Sequence, residues 1–150
     1  MSTSSPVIGL DVRMWGHPGI GRYLRELVKA LAATGTGRKF SFLAYPADRA
    51  ILGQYFPEAK FEQASSRVYS LREQAELWKF SQKVDLLHVP HFNVPLVCAS
   101  KLVVTVHDLI YLKEARFSGS FLGKLYARGL FQRIAGKADK VIAVSQFTKS

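Results

Sequence analysis

Cysteine is almost missing from this chain: Cys98 is the only one in 150 residues. No internal disulfide can form, and a zinc cluster built on cysteines is excluded. A single thiol points to a reducing compartment. Long hydrophobic runs are missing too. The longest uncharged stretch, Leu86–Ser100, holds Pro90, Pro95, His88 and His91 and is too short and too polar to cross a bilayer. Met1–Pro6 has neither a basic start nor an apolar run behind it, so it does not read as a secretory signal, and a cytosolic location is expected. There is no internal repeat and no low-complexity linker. With 48% hydrophobic and 21% charged residues, the composition excludes disordered and collagen-like chains and suffices for one globular domain.

Acidic residues are scarce, 11 against 21 Lys and Arg, for a net charge of +10. An anionic partner is expected. The excess is uneven: Met1–Ile110 carries +4, and the shorter Tyr111–Ser150 carries +6.

Val7–Val12 is a short apolar run followed by the glycine group Gly16–Gly21 and then by apolar positions Tyr23, Leu24, Leu27, Val28 and Leu31 at helical spacing. Strand, glycine-rich turn and amphipathic helix are predicted in that order. Gly35 and Gly37 end the helix, and Lys39–Tyr45 reads as a second strand stopped by Pro46. The stretch from Asp48 to Ala64 suggests a short helix and a short strand from Lys60. Leu71, Ala75, Leu77 and Trp78 space a helix within Tyr69–Lys83; Asp85–Val89 and Lys101–His107 read as strands. Ser120–Ala138 aligns Phe121, Leu122, Leu125, Tyr126, Leu130, Phe131 and Ile134 along a stripe, and Asp139–Val144 forms a last strand. Apolar runs alternating with helical patterns predict a doubly wound, Rossmann-like parallel sheet with helices on both faces. Ser145 is suited to cap a further helix, so the chain is expected to be one part of a longer protein.

Several groups could carry chemistry. Gly19, Ile20 and Gly21 sit between strand and helix, where free amides favour phosphate, although a turn needing glycine explains them equally well. The dinucleotide fingerprint fails at Leu24, no acidic residue closes the second strand, and no Walker loop is present. His107 and Asp108 end the clearest strand, where ligands of open parallel sheets lie. His88, His91 and Asn93 end the preceding strand and could line the same cleft. Asp11 and Arg13 could touch a ligand or cap the sheet, and His17 lies in the glycine turn. A metal held by His88, His91, His107 and Asp108 is not expected, because Pro90 makes that strand end a poor frame. Lys124, Arg128, Arg133 and Lys137 could rest on anionic lipid or form a solvated helix face.

GIGRYLRELVKAL at Gly19–Leu31, LVVTVHDLIYL at Leu102–Leu112 and ADKVIAVSQFTKS at Ala138–Ser150, with DLLHVPHFNVPL at Asp85–Leu96, together resemble the N-terminal half of a family 4 (group 1) glycosyltransferase of the GT-B fold. The resemblance spans nearly the whole chain in order. It implies that residues 1–150 form the acceptor-side domain, with a donor-binding domain carrying a glutamate pair supplied elsewhere, so that this part alone is inactive. It implies a retaining, metal-independent transfer of a hexose from a GDP- or UDP-linked sugar, with no cofactor, to a hydroxyl of a glycan or lipid-linked glycan. His107 matches the family's histidine beside the donor sugar; Gly19, Ile20 and Gly21 match its phosphate-side loop; Arg13, His17, His88, His91 and Asn93 become acceptor-cleft candidates. Asp108 is expected to serve the fold. The wording of the motifs is most similar to bacterial mannosyltransferase-like enzymes of polysaccharide and lipopolysaccharide synthesis. Lys124, Arg128, Arg133 and Lys137 would then hold the domain at the inner face of the plasma membrane, each basic residue contributing about 1 kcal/mol. No nucleic acid is expected. The competing readings are a stand-alone basic module that binds anionic lipid or nucleic acid, and a nicotinamide-dependent oxidoreductase that the failed fingerprint disfavours.

Overall fold

The computed structural model describes residues 5–108 and 136–145, together with 125, 128, 129 and 132–134. Strand β1 (Val7–Asp11) leads into helix α1 (Ile20–Ala33), β2 (Lys39–Ala44), a short turn of 3₁₀ helix at Pro46–Asp48, α2 (Arg49–Tyr55), β3 (Lys60–Gln63), α3 (Leu71–Ser81), β4 (Leu86–Val89), β5 (Lys101–Val106) and β6 (Lys140–Ala143). All six strands run parallel in the order β3-β2-β1-β4-β5-β6. The doubly wound sheet expected from the alternation of patterns is therefore present. Its strand order reverses between β1 and β4, and the loops beyond the carboxyl ends of those strands open a crevice there.

Alternate residues of each strand serve opposite faces. Leu10, Phe40, Phe42 and Ala44 pack with Leu24 and Val28 of α1 and Leu52 of α2. Leu43, Leu87, Val89, Leu102, Val104 and Val106 pack on the other side with Leu77 and Phe80 of α3 and with Ile134. Each fully buried Leu or Val contributes about 1.5–3 kcal/mol, so the two layers hold the sheet from both sides. Two aspartates fasten strand starts: Asp85 accepts the Val7 N–H at 2.7 Å and Asp139 the Leu102 N–H at 2.8 Å.

Two expected apolar faces are placed differently. On α3 the buried residues are Glu73, Leu77, Phe80 and Ser81, whereas Leu71 is 87% exposed and Ala75 and Trp78 also face solvent. The inner face carries a carboxylate because an arginine lies beneath it, as described below. Leu125 is 59% exposed while Ile134 is core. Positions nine residues apart fall on opposite sides of a helix of 3.6 residues per turn, so one stripe could not contain both. Phe121, Leu122, Tyr126, Leu130 and Phe131 lie outside the described residues, as does Lys124. Of the remaining basic candidates, Arg128 and Lys137 are exposed, and Arg133 is half-buried with its Nε enclosed.

Candidate functional site

A cavity of about 210 Å³ opens at the carboxyl ends of the strands. Its wall combines His17 and Gly19 from the loop after β1, Ile20 at the start of α1, Tyr69 from the approach to α3, His91 and Phe92 after β4, and His107 and Asp108 after β5. A larger hollow of about 360 Å³ lies where β2 begins, between the ends of α1 and α2. It is at the wrong end of the sheet for a ligand of this architecture.

His107 is held from two sides. Its Nε2 donates to the Pro90 carbonyl at 2.9 Å, and the Tyr23 ring meets it edge-on at 5.0 Å. Tyr23 is tied in turn to Thr105 (Oη to Oγ1, 3.0 Å), whose hydroxyl also meets His88 Nε2 at 2.9 Å. His88 pairs with Leu10 in register and so points to the α1 side of the sheet. These bonds join α1, β4 and β5 directly behind the cavity. Burial pushes the His107 imidazole below its ordinary pKa, with the Pro90 carbonyl opposing the shift, so the ring is neutral at pH 7. Burial lowers His88 further, to about 4.

The glycine turn is closed more tightly than a free phosphate loop. Gly21 donates its N–H to the His17 carbonyl at 2.9 Å, and a Cβ built on Gly21 would stand 2.2 Å from the Trp15 carbonyl oxygen. Glycine is required there by backbone approach. The Ile20 N–H is held by His17 Nδ1 at 3.3 Å, and the Arg22 and Tyr23 N–H groups both reach the Gly19 carbonyl. An anion seeking the Ile20 amide must first displace the exposed His17 side chain. Gly19 itself has open space around its Cα.

Beneath the cavity lies a buried ion cluster. Asp11 receives a two-pronged contact from Arg13, Nε at 2.8 Å and Nη2 at 2.6 Å, and Nη2 also lies 2.7 Å from Glu73. Arg13 Nη1 faces Glu76 at 3.6 Å, and His91 Nε2 faces Asp11 at 3.4 Å. Burial opposes the charge on Asp11, but Arg13 and His91 outweigh it and hold the carboxyl below its usual range. Burial likewise opposes the Arg13 cation, and Asp11, Glu73 and Glu76 raise it above the ordinary arginine value. For Glu73 burial prevails over Arg13, and its pKa rises.

The cluster also shapes the cavity wall. Glu73 accepts from Asn93 Nδ2 and from the Tyr69 N–H, the latter at 2.6 Å. His91 Nδ1 accepts the Asn93 N–H at 3.2 Å. Tyr69 is the one described non-glycine residue with positive φ, +68°, a conformation that costs about 1–2 kcal/mol for an L side chain.

Of the residues singled out in the sequence, His17, Gly19, Ile20, His91 and His107 are thus brought to one cavity, with Asp108 exposed beside them. Arg13, His88 and Asn93 are buried behind the wall, where they brace it without lining it, and Gly21 is packed into the turn. Asp11 caps the sheet through Arg13. Glu73, Tyr69 and Phe92 escaped the sequence reading. The pattern Ser70-x-x-Glu73 was the available signal: Ser70 caps α3 by accepting the Glu73 N–H at 3.3 Å. Glu73 departs from that pattern by sending its carboxylate to Tyr69 rather than to Ser70.

No curated protein matches the chain. A family model does, over residues 18–150, and its description is Glycosyltransferase Family 4.

Proposed function

The chain belongs to glycosyltransferase family 4, and from that premise we propose that it supplies the acceptor-side half of a retaining hexosyltransferase. The observation that carries this reading is the convergence of His107 with Gly19 and Ile20 on one cavity at the switch point of the sheet. In the reaction a GDP- or UDP-linked hexose, mannose being the first choice, gives up its bond from the anomeric carbon to phosphate. The same carbon bonds to the oxygen of a glycan or lipid-linked glycan, and the proton of that hydroxyl leaves with the diphosphate.

A neutral imidazole is a poor acid, so His107 serves by orientation: it meets a hydroxyl of the sugar near the reacting carbon. Its rigidity comes from Pro90, Tyr23 and the Thr105–His88 pair. The open space at Gly19 lets a phosphate approach the start of α1 once the His17 side chain has left the Ile20 N–H. Most of the charge that stabilises the departing diphosphate comes from a facing donor-binding domain, with neither a divalent metal nor a resident cofactor.

Membrane contact is a further part of the proposal. Among the described residues no helix is long and apolar enough to cross a membrane, and exposed Arg128 and Lys137 are the described groups suited to rest on an anionic leaflet.

The test is transfer by the full-length protein. Sugar should pass from GDP-mannose or UDP-glucose to a glycan acceptor in the presence of EDTA, and proton NMR of the first product should show the donor's anomeric configuration. His107→Ala should lower turnover by about 100-fold with unfolding unchanged. A fully active His107→Ala enzyme, an inverted product or a requirement for added metal each refutes the corresponding part.

A further inference from the structure

Tyr69 occupies an expensive position for a residue that adds little to the core. Its backbone is left-handed, its N–H is clasped by the buried Glu73 carboxylate, and the residue is still 47% exposed. Strain of this kind persists where surrounding structure enforces it, and such sites are commonly functional. Here the enforcement comes from the Asp11–Arg13–Glu73 cluster, sealed from solvent.

The result is an aromatic wall. The Tyr69 ring lies over Phe92 with centroids 5.7 Å apart and planes 30° apart, and it meets His91 at 6.4 Å. The wall stands on the same cavity as His107 and Gly19. At about 210 Å³, room for roughly seven waters, the cavity fits a single six-membered sugar ring against the wall, which leaves the donor hexose that His107 meets to lie across the cavity's mouth. One side of such a wall is apolar and the other side of the cavity carries imidazoles and a carboxylate, which matches a pyranose: C–H bonds on one face, hydroxyls around the rim.

We propose that Tyr69, backed by Phe92, is the stacking platform for the acceptor's terminal pyranose ring, and that the buried Asp11–Arg13–Glu73 cluster exists on this side of the sheet to hold that platform in place. The inference rests on the glycosyltransferase reading and adds the residue that recognises the acceptor. A nucleobase could stack on the same ring, but the imidazoles and carboxylate around the wall suit a ring rimmed with hydroxyls.

NMR titration of the full-length protein tests it. Methyl α-D-mannopyranoside and methyl β-D-glucopyranoside are the sugar probes, UMP and GMP the base probes, and the reporters are the ring protons of Tyr69 and Phe92. A glycoside should shift both rings. Tyr69→Phe should keep the binding, and Tyr69→Gly, which suits the left-handed backbone, should weaken it by roughly ten-fold. If Tyr69→Gly does not fold, Tyr69→Asn takes its place, since asparagine also tolerates that conformation. A purely structural Tyr69 predicts altered stability with glycoside affinity unchanged, and that result overturns the proposal. So does a ring that answers only to UMP or GMP, or to no probe at all. Titration with GDP-mannose and UDP-glucose reads the underlying function separately. Shifts at Gly19, Ile20 and His107 with either, but none at Tyr69 with glycosides, remove the platform and leave the transferase.

Discussion

Replacing Arg13 by methionine isolates what the buried cluster contributes. Methionine fills nearly the same space, so the cavity term is small. What changes is charge: Asp11 loses contacts of 2.8 and 2.6 Å and Glu73 one of 2.7 Å, and both carboxylates remain sealed from water without their cation. Removing one member of a buried pair costs about 3–5 kcal/mol. Against a total of about 5–15 kcal/mol that is a large share, and in a domain of this size the midpoint should fall by about 6–20 °C. The loss has a sign in pH. In the native cluster Asp11 titrates below its unfolded value, so its contribution is present above that value and lost in acid. In Arg13→Met burial is opposed only by His91 at Asp11 and by the Tyr69 N–H and His91 at Glu73, so both carboxyls rise relative to the native cluster, a penalty felt at neutral pH that fades as they protonate. Urea unfolding followed by circular dichroism should therefore show a deficit at pH 7 that shrinks toward pH 5. A loss below about 1 kcal/mol at pH 7, or a deficit that grows on acidification, refutes the assignment of a charge cluster that holds this end of the sheet. Glu73→Gln, which keeps an acceptor for the Tyr69 N–H and removes a carboxyl already raised by burial, should cost only about 1–2 kcal/mol.

Other expectations follow from the same geometry. His88, lowered from 6.5 to about 4, binds its proton more weakly folded than unfolded, so stability should be complete above pH 6.5 and fall by up to about 3 kcal/mol as pH drops toward 4. His88→Gln should flatten that slope in acid titrations of the unfolding midpoint, and an unchanged slope assigns it elsewhere. Gly21→Ala drives a Cβ into the Trp15 carbonyl and should cost more than about 2 kcal/mol, whereas Gly19→Ala meets open space and should cost under about 1 kcal/mol. Equal thermal shifts for the two would contradict the turn geometry.

The sequence by itself determined the local elements. Apolar runs at Val7, Lys39, Leu86 and Lys101 became strands close to where the pattern put them, because a strand covered on both faces must be apolar at successive positions, and the run at Lys140 became the edge strand β6, whose Val141 and Ile142 stay exposed. The helix after the glycine turn was equally legible from Leu24 and Val28. Even the weak stretch from Asp48 resolved into α2 and β3 as expected. The place of His107 beside the cavity was legible because ligands of parallel sheets lie beyond the carboxyl ends of strands.

Tertiary structure alone decided which of these ends meet. The strand order places the loops after β1, β4 and β5 side by side, so His17, His91 and His107 share one cavity although ninety residues separate the first from the last. It also turned Glu73 inward against Arg13, so that of the stripe apolar spacing had assigned to α3 only Leu77 is buried while Leu71, Ala75 and Trp78 face solvent. Periodicity reports which side of an element is apolar and is set by neighbours in the chain. A buried charge is tolerated only where an opposite charge arrives, and that partner, sixty residues away, is set by the packing of the sheet.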